Sequence, residues 1–315
     1  MGMGEAPLGP LQWDNLFQWQ FTWSALVILL AINGYVLLVH RVNGLSEHPW
    51  PKLRIVFALG AAISFLLAFC SVVGIYDMTL FSAHMVQHLL LVMVGAAFLA
   101  ASAPLDLIVA ASTGGFGHSL RKLLRSSAAG VLGHPLCGFV LYALSIPAFH
   151  LTNLFSLAMT SGFTHSLESI SFIVIGYLFW RPVVGVEHTR HPLAPGLRMV
   201  YLFLAVPVDT ITGLALVSTN HVGPYSGFAT GMRNWGPSVL SDIHQGGAIM
   251  WIVGDLIMMT ALIPCALVWL KDERQQTAVI DAAIDAGTLD DSSASPWRPT
   301  PRVVFPTAPP LDSEK

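Results

Sequence analysis

Apolar residues run along this chain in long unbroken blocks, with no alternation of period two and no heptad. Seven blocks stand out, near residues 22–39, 55–74, 80–101, 132–149, 163–184, 199–218 and 244–270. Each is close to the ~20 residues that a helix needs to cross a ~30 Å hydrocarbon core. The pattern predicts an all-α polytopic bundle of seven transmembrane helices. The stretch HLTNLFSLAMTSGFTH between the fourth and fifth blocks is itself apolar and is expected along the membrane interface. No loop is long enough for a soluble domain, and no internal repeat is present.

The polar residues between the blocks set the orientation. Loop one carries Arg41, Lys52 and Arg54; loop three Arg121, Lys122 and Arg125; loop five Arg181, Arg190 and Arg198. Residues beyond 270 add Lys271, Arg274, Arg298, Arg302 and Lys315, so 14 of the 15 basic residues share one side and only Arg233 is on the other. Basic loops stay in the cytoplasm. The expectation is an amino terminus outside and a carboxyl terminus in the cytoplasm of a bacterial inner membrane. Three regions follow: an extracytoplasmic segment 1–21, a seven-helix domain 22–270, and a cytoplasmic tail 271–315. The tail is rich in Asp, Ser and Pro and is expected to be largely disordered.

Composition agrees. The chain is 54% hydrophobic and 10% charged, with a mean hydropathy of +0.65; soluble domains carry about 25% charged residues. A lipid bilayer is the implied solvent. A net charge of −3 without a basic run gives no reason to expect a nucleic-acid partner. Cys70, Cys137 and Cys265 sit in three different apolar blocks with no C-x-x-C, which signals neither a disulfide framework nor a thiolate zinc site. The amino terminus lacks a basic run before its first apolar block, as a retained anchor would.

The candidate chemistry collects at the predicted outer helix ends. His84 and His88 lie in H-M-V-Q-H, and an i, i+4 spacing puts two imidazoles on one helical face where they can share an ion. His150 ends the fourth block. His165 opens the fifth, with Glu168 one turn on, and His244 follows Asp242 at the start of the seventh. His221, Asp77, Met78, Met85, Met159 and Met232 fall near the same level. Imidazole suits copper, zinc and iron, and thioethers favour copper(I). The plain alternative is an interfacial anchor, because six further histidines lie on the inner side: His40, His48, His118, His134, His188 and His191. Asp209, two residues after Pro207, and Asp255 lie deeper. Acids within the membrane are costly and face the interior, as ligands, proton carriers or hydrogen-bonded clamps between helices. Met250, Met258 and Met259 read as packing residues.

Four stretches resemble the CtaG-type assembly factors of cytochrome c oxidase. FSAHMVQHLLLVMVGAAFLAASAPLDLI is similar to that family's H-M-x-Q-H helix ending in a small-residue-Pro turn. FHLTNLF resembles its fourth-helix exit, HSLESISFIVIGYLFWRPVVG its fifth helix, and SDIHQGGAIMWIVGD its D-x-x-x-G-G-x-x-M-W signature. Ser169 stands where the family commonly has a second His, and Ala96-Ala97 where a Pro pair is usual. The resemblance implies an assembly factor for haem-copper oxidase that binds copper and delivers it to an oxidase subunit, with a periplasmic copper donor as a further partner. His84, His88, His150, His165, His244, Glu168, Asp209 and Asp242 are the expected metal residues. A metal or proton transporter and a bis-His haem cytochrome are the other readings. No nucleophile-base set or cofactor fingerprint points to an enzyme.

Overall fold

The computed structural model describes residues 9–13, 15–226, 228 and 234–286. Met232, Arg233 and the tail beyond residue 286 lie outside the described residues. Among the described residues every regular element is a helix. They are α1 (Trp23–Leu45), α2 (Lys52–Cys70), α3 (Val72–Tyr76), α4 (Phe81–His88), a π-helical stretch (Leu89–Gly95), α5 (Ala96–Ala101), α6 (Pro104–Ala111), α7 (Gly114–Leu124), α8 (Ser127–Leu132), α9 (Pro135–Leu151), α10 (Leu154–Ala158), α11 (Gly162–Val184), α12 (Pro195–Val217), a 3-10 turn (Gly223–Tyr225) and α13 (Val239–Asp285).

Among the described residues, six helical runs are long and apolar enough to cross a membrane, namely Trp23–Leu45, Lys52–Tyr76, Phe81–Ala111, Gly162–Val184, Pro195–Val217 and Val239–Asp285. The fourth expected crossing is α9, which has only 17 residues. At 1.5 Å per residue it spans ~26 Å, less than the ~30 Å hydrocarbon core. Pro135 sets its start, and its end is closed where the Tyr225 hydroxyl donates to the His150 carbonyl. The last helix departs in the other direction. It runs 47 residues without interruption, ~70 Å, so the charged residues after Leu270 continue it as far as Asp285.

Large apolar side chains such as Leu30, Phe203, Ile211, Leu256 and Ile263 are exposed on the flanks, where lipid would cover them. Polar groups lie inside: His84, Gln87, His150, Glu168, Asp209 and Asp242 are each at most 2% exposed. This is a multi-pass membrane architecture. Close helix contact is built on glycine. A Cβ at Gly213 of α12 would sit 2.8 Å from the Gly247 carbonyl oxygen of α13, and one at Gly247 2.9 Å from the Gly213 oxygen.

The third crossing is bent twice. Its middle is π-helical, and the Leu90 and Val92 carbonyls there accept from the Ser64 hydroxyl (2.8 Å) and the Trp180 indole N–H (2.9 Å). Its end turns at Ala103, which sits in the left-handed region (φ 51°) before Pro104. Proline cannot continue the helix, and the small side chain lowers the cost of that turn.

Candidate metal centre

Three local devices bring the site together at one end of the bundle. The carboxylate of Asp242, on α13, caps α4 from outside: its oxygens accept from the Phe81 N–H (2.8 Å), the Ser82 N–H (3.2 Å) and the Ser82 hydroxyl (2.6 Å). His84 follows within the first turn. Ser161 and Thr164 form a reciprocal capping box at the start of α11. His165, Glu168, Phe172, Gly176 and Phe179 then recur along one inward face. Finally, the i, i+4 pair on α4 sets His84 and His88 side by side, ring centroids 4.2 Å apart and planes tilted by 56°.

The result is a buried three-residue group. One ligand atom from each of His84, His88 and Glu168 lies within 4.8 Å of the others. Each imidazole Nε2 is 3.8 Å from a Glu168 oxygen, too far for a hydrogen bond. His165 joins from the rim, its ring 5.4 Å from His84 and its Nε2 3.8 Å from Asp77 Oδ2. Seven atoms here are buried without a partner: both His84 nitrogens, Nε2 of His88 and His165, both Glu168 oxygens and, at the rim, Gln87 Oε1. Buried polar groups are normally hydrogen-bonded.

Protons can be placed on two of the rings. The Ile146 carbonyl can only accept, so His150 Nδ1 donates to it (2.7 Å). In a neutral ring His150 Nε2 is then an acceptor, and His88 Nδ1 donates to it at 3.2 Å. That leaves the lone pair of a neutral His88 on Nε2, on the side of Glu168. His150 thus orients His88 as an outer partner orients a metal-bound imidazole. At the rim, Gln87 Nε2 donates to Asp77 Oδ2 (2.6 Å) and to the Ala68 carbonyl (3.0 Å). Burial pushes the Asp77 carboxyl up to about 7, against the lowering effect of the Gln87 and Met78 hydrogen bonds. A cavity of about 20 Å3 lies beside His88 and His150, and Met85, Met93, Met250 and Asp209 also line it.

The other expected site residues fall elsewhere. His244 Nε2 bonds the Thr219 carbonyl at 2.8 Å and is absent from the three-residue group. The Ser169 hydroxyl donates to the His165 carbonyl (3.0 Å). Asp242 is the α4 cap. Asp209 accepts both its short bonds, 2.7 and 2.8 Å, from the Tyr142 hydroxyl. His221 is exposed, and Cys70 Sγ faces the Thr22 hydroxyl at 3.5 Å. Asp77 was placed at this level by the sequence, whereas the part played by Gln87 was not revealed; its only signal was its place inside H-M-V-Q-H.

Fold and site together define a multi-pass helical membrane protein with a buried histidine-carboxylate cluster near one end. The family model for the cytochrome c oxidase caa3 assembly factors (Caa3_CtaG) matches residues 33–272, and the chain belongs to that family. An uncharacterized protein of Mycobacterium bovis is 27% identical over 299 residues, covering 91% of this chain and 44% of the relative. One from Mycobacterium leprae is 27% identical over 275 residues, covering 85% and 41%. The chain thus spans less than half the length of these curated relatives. No solved structure matches.

Proposed function

We propose that this protein serves the assembly of a haem-copper cytochrome c oxidase by holding copper at the His84–His88–Glu168 cluster and passing it to an oxidase subunit. Family membership supports the assembly role, which is not a catalytic one. The observation that carries the copper reading is that His84, His88 and Glu168 bring buried nitrogen and oxygen atoms without hydrogen-bond partners together, one from each lying within 4.8 Å of the others. Neutral imidazoles and a carboxylate without partners are a cation's ligands. The thioether residues Met85, Met93 and Met250 beside His88 suit copper(I) in particular. The absence of a thiolate pair fits cargo that is held and then released.

In this reading the histidine end faces outside and the lipid bilayer surrounds the flanks. The basic loops lie at the other end: Arg181 is 16 residues from His165 along α11, ~24 Å. Copper enters at the rim past His165 and Asp77, from a donor on that side. The cavity of about 20 Å3 beside His88 and His150 has room for a water molecule but not for a porphyrin, which counts against a bis-His haem.

The test is a deletion strain. Oxidase copper content and activity fall, added copper restores part of both, and the His84→Ala/His88→Ala double variant fails to complement. Oxidase of normal copper content and activity in the deletion strain would refute the proposal.

A further inference from the structure

The opposite end of the bundle holds a second built polar cavity. The loop 185–194 after α11 folds back over α6 and α8 and encloses a space of about 100 Å3 lined in part by Asp106, Gly130, Gly133, Arg181, Thr189 and Arg190. By the same measure one water needs only ~15 Å3.

The acceptors around it are occupied. Glu187 accepts from Arg181 Nε (2.7 Å), from the Tyr177 hydroxyl (2.6 Å) and from the Leu105 N–H (2.9 Å). Asp106 accepts from the His188 N–H at 3.3 Å and lies 3.0 Å from its ring Nδ1. Arg181 Nη2 donates to the His188 carbonyl (3.1 Å).

The donors are not. Arg181 Nη1 points at Gly133, 3.2 Å from where a Cβ would stand. Arg190 Nη1 lies over Gly130, 3.0 Å from the corresponding position, and its guanidinium has no hydrogen-bond partner among the described residues. The Thr189 hydroxyl is buried and unpartnered. The missing side chains at 130 and 133 make room for two guanidinium edges, and two guanidiniums with a hydroxyl match a tetrahedral oxyanion.

We propose that this cavity binds a phosphate group through Arg181, Arg190 and Thr189. The phosphate belongs either to a lipid headgroup, since the site lies where the crossings end, or to a soluble ion. This inference is independent of the copper reading.

The test uses the full chain in neutral detergent. One arm titrates inorganic phosphate and reads the shift in melting temperature. The other uses native mass spectrometry with phosphatidic acid against diacylglycerol, the same lipid without its phosphate. Binding in the first arm assigns a soluble anion, and binding of phosphatidic acid alone assigns a lipid. Either supports the proposal if Arg190→Gln weakens it by about tenfold or more and Thr189→Val by a few-fold. Arg190 is exposed, so its variant tests binding without disturbing the core. No binding in either arm, or binding unchanged in both variants, overturns it.

Discussion

At the scale of single residues, the proposed site is marked by buried lone pairs without partners. His150 is the residue that leaves His88 with one, since its Nε2 accepts a hydrogen bond from the His88 Nδ1–H and leaves the other nitrogen on the side of Glu168. It touches no ligand position itself. His150→Ala should therefore weaken copper binding by about 10- to 100-fold, the usual cost of losing an outer partner, while stoichiometry at saturation stays the same; competition titration with a copper(I) chelator measures it. Asp77 supplies the pH dependence of the rim. Its carboxyl, pushed up to about 7 by burial, is neutral below that value and charged above it. Copper loading should rise between about pH 6 and about pH 8, one unit either side of that value, more steeply in the wild type than in Asp77→Asn. Equal slopes would show that Asp77 plays no part in loading. The i, i+4 histidines were legible in the sequence because one helix holds both. The His150–His88 bond was not, because it joins residues 62 apart.

At the scale of elements, the crossing that carries the histidines is held by its neighbours. Asp242 caps it from α13, and Ser64 and Trp180 occupy carbonyls of its π-helical middle. Asp242 was expected among the metal residues because it is acidic, close to His244 and at the right level. Its three hydrogen bonds to Phe81 and Ser82 give it a structural task in this structure. Asp242→Ala should destabilise the protein by about 0.5–2 kcal/mol, as the loss of a helix cap does. It should also lower copper affinity by loosening His84. Thermal unfolding in detergent reads the first effect, and an unchanged melting temperature would contradict the capping role. Apolar blocks located the helices well because lipid imposes length and hydropathy. They did not locate ends set by caps: α9 is shorter than its block suggested, and α13 runs to Asp285 through residues of mixed polarity.

At the scale of the whole molecule, the flanks are apolar, the interior holds buried polar clusters, and the two ends differ in chemistry. One end buries imidazoles and a carboxylate without partners beside thioethers; the other holds its carboxylates in hydrogen bonds to arginine, tyrosine and backbone donors. That division was visible in the sequence as basic loops and histidine-bearing helix ends. What converges within it was not, since it depends on how α4, α9 and α11 pack. The measurement that bears most directly on the copper reading is the metal content of the purified full chain after anaerobic copper(I) loading, beside the His84→Ala/His88→Ala variant. About one copper per chain in the wild type and a loss of most of it in a variant that remains folded is the predicted result. No copper in the wild type, or equal copper in both, would contradict the site.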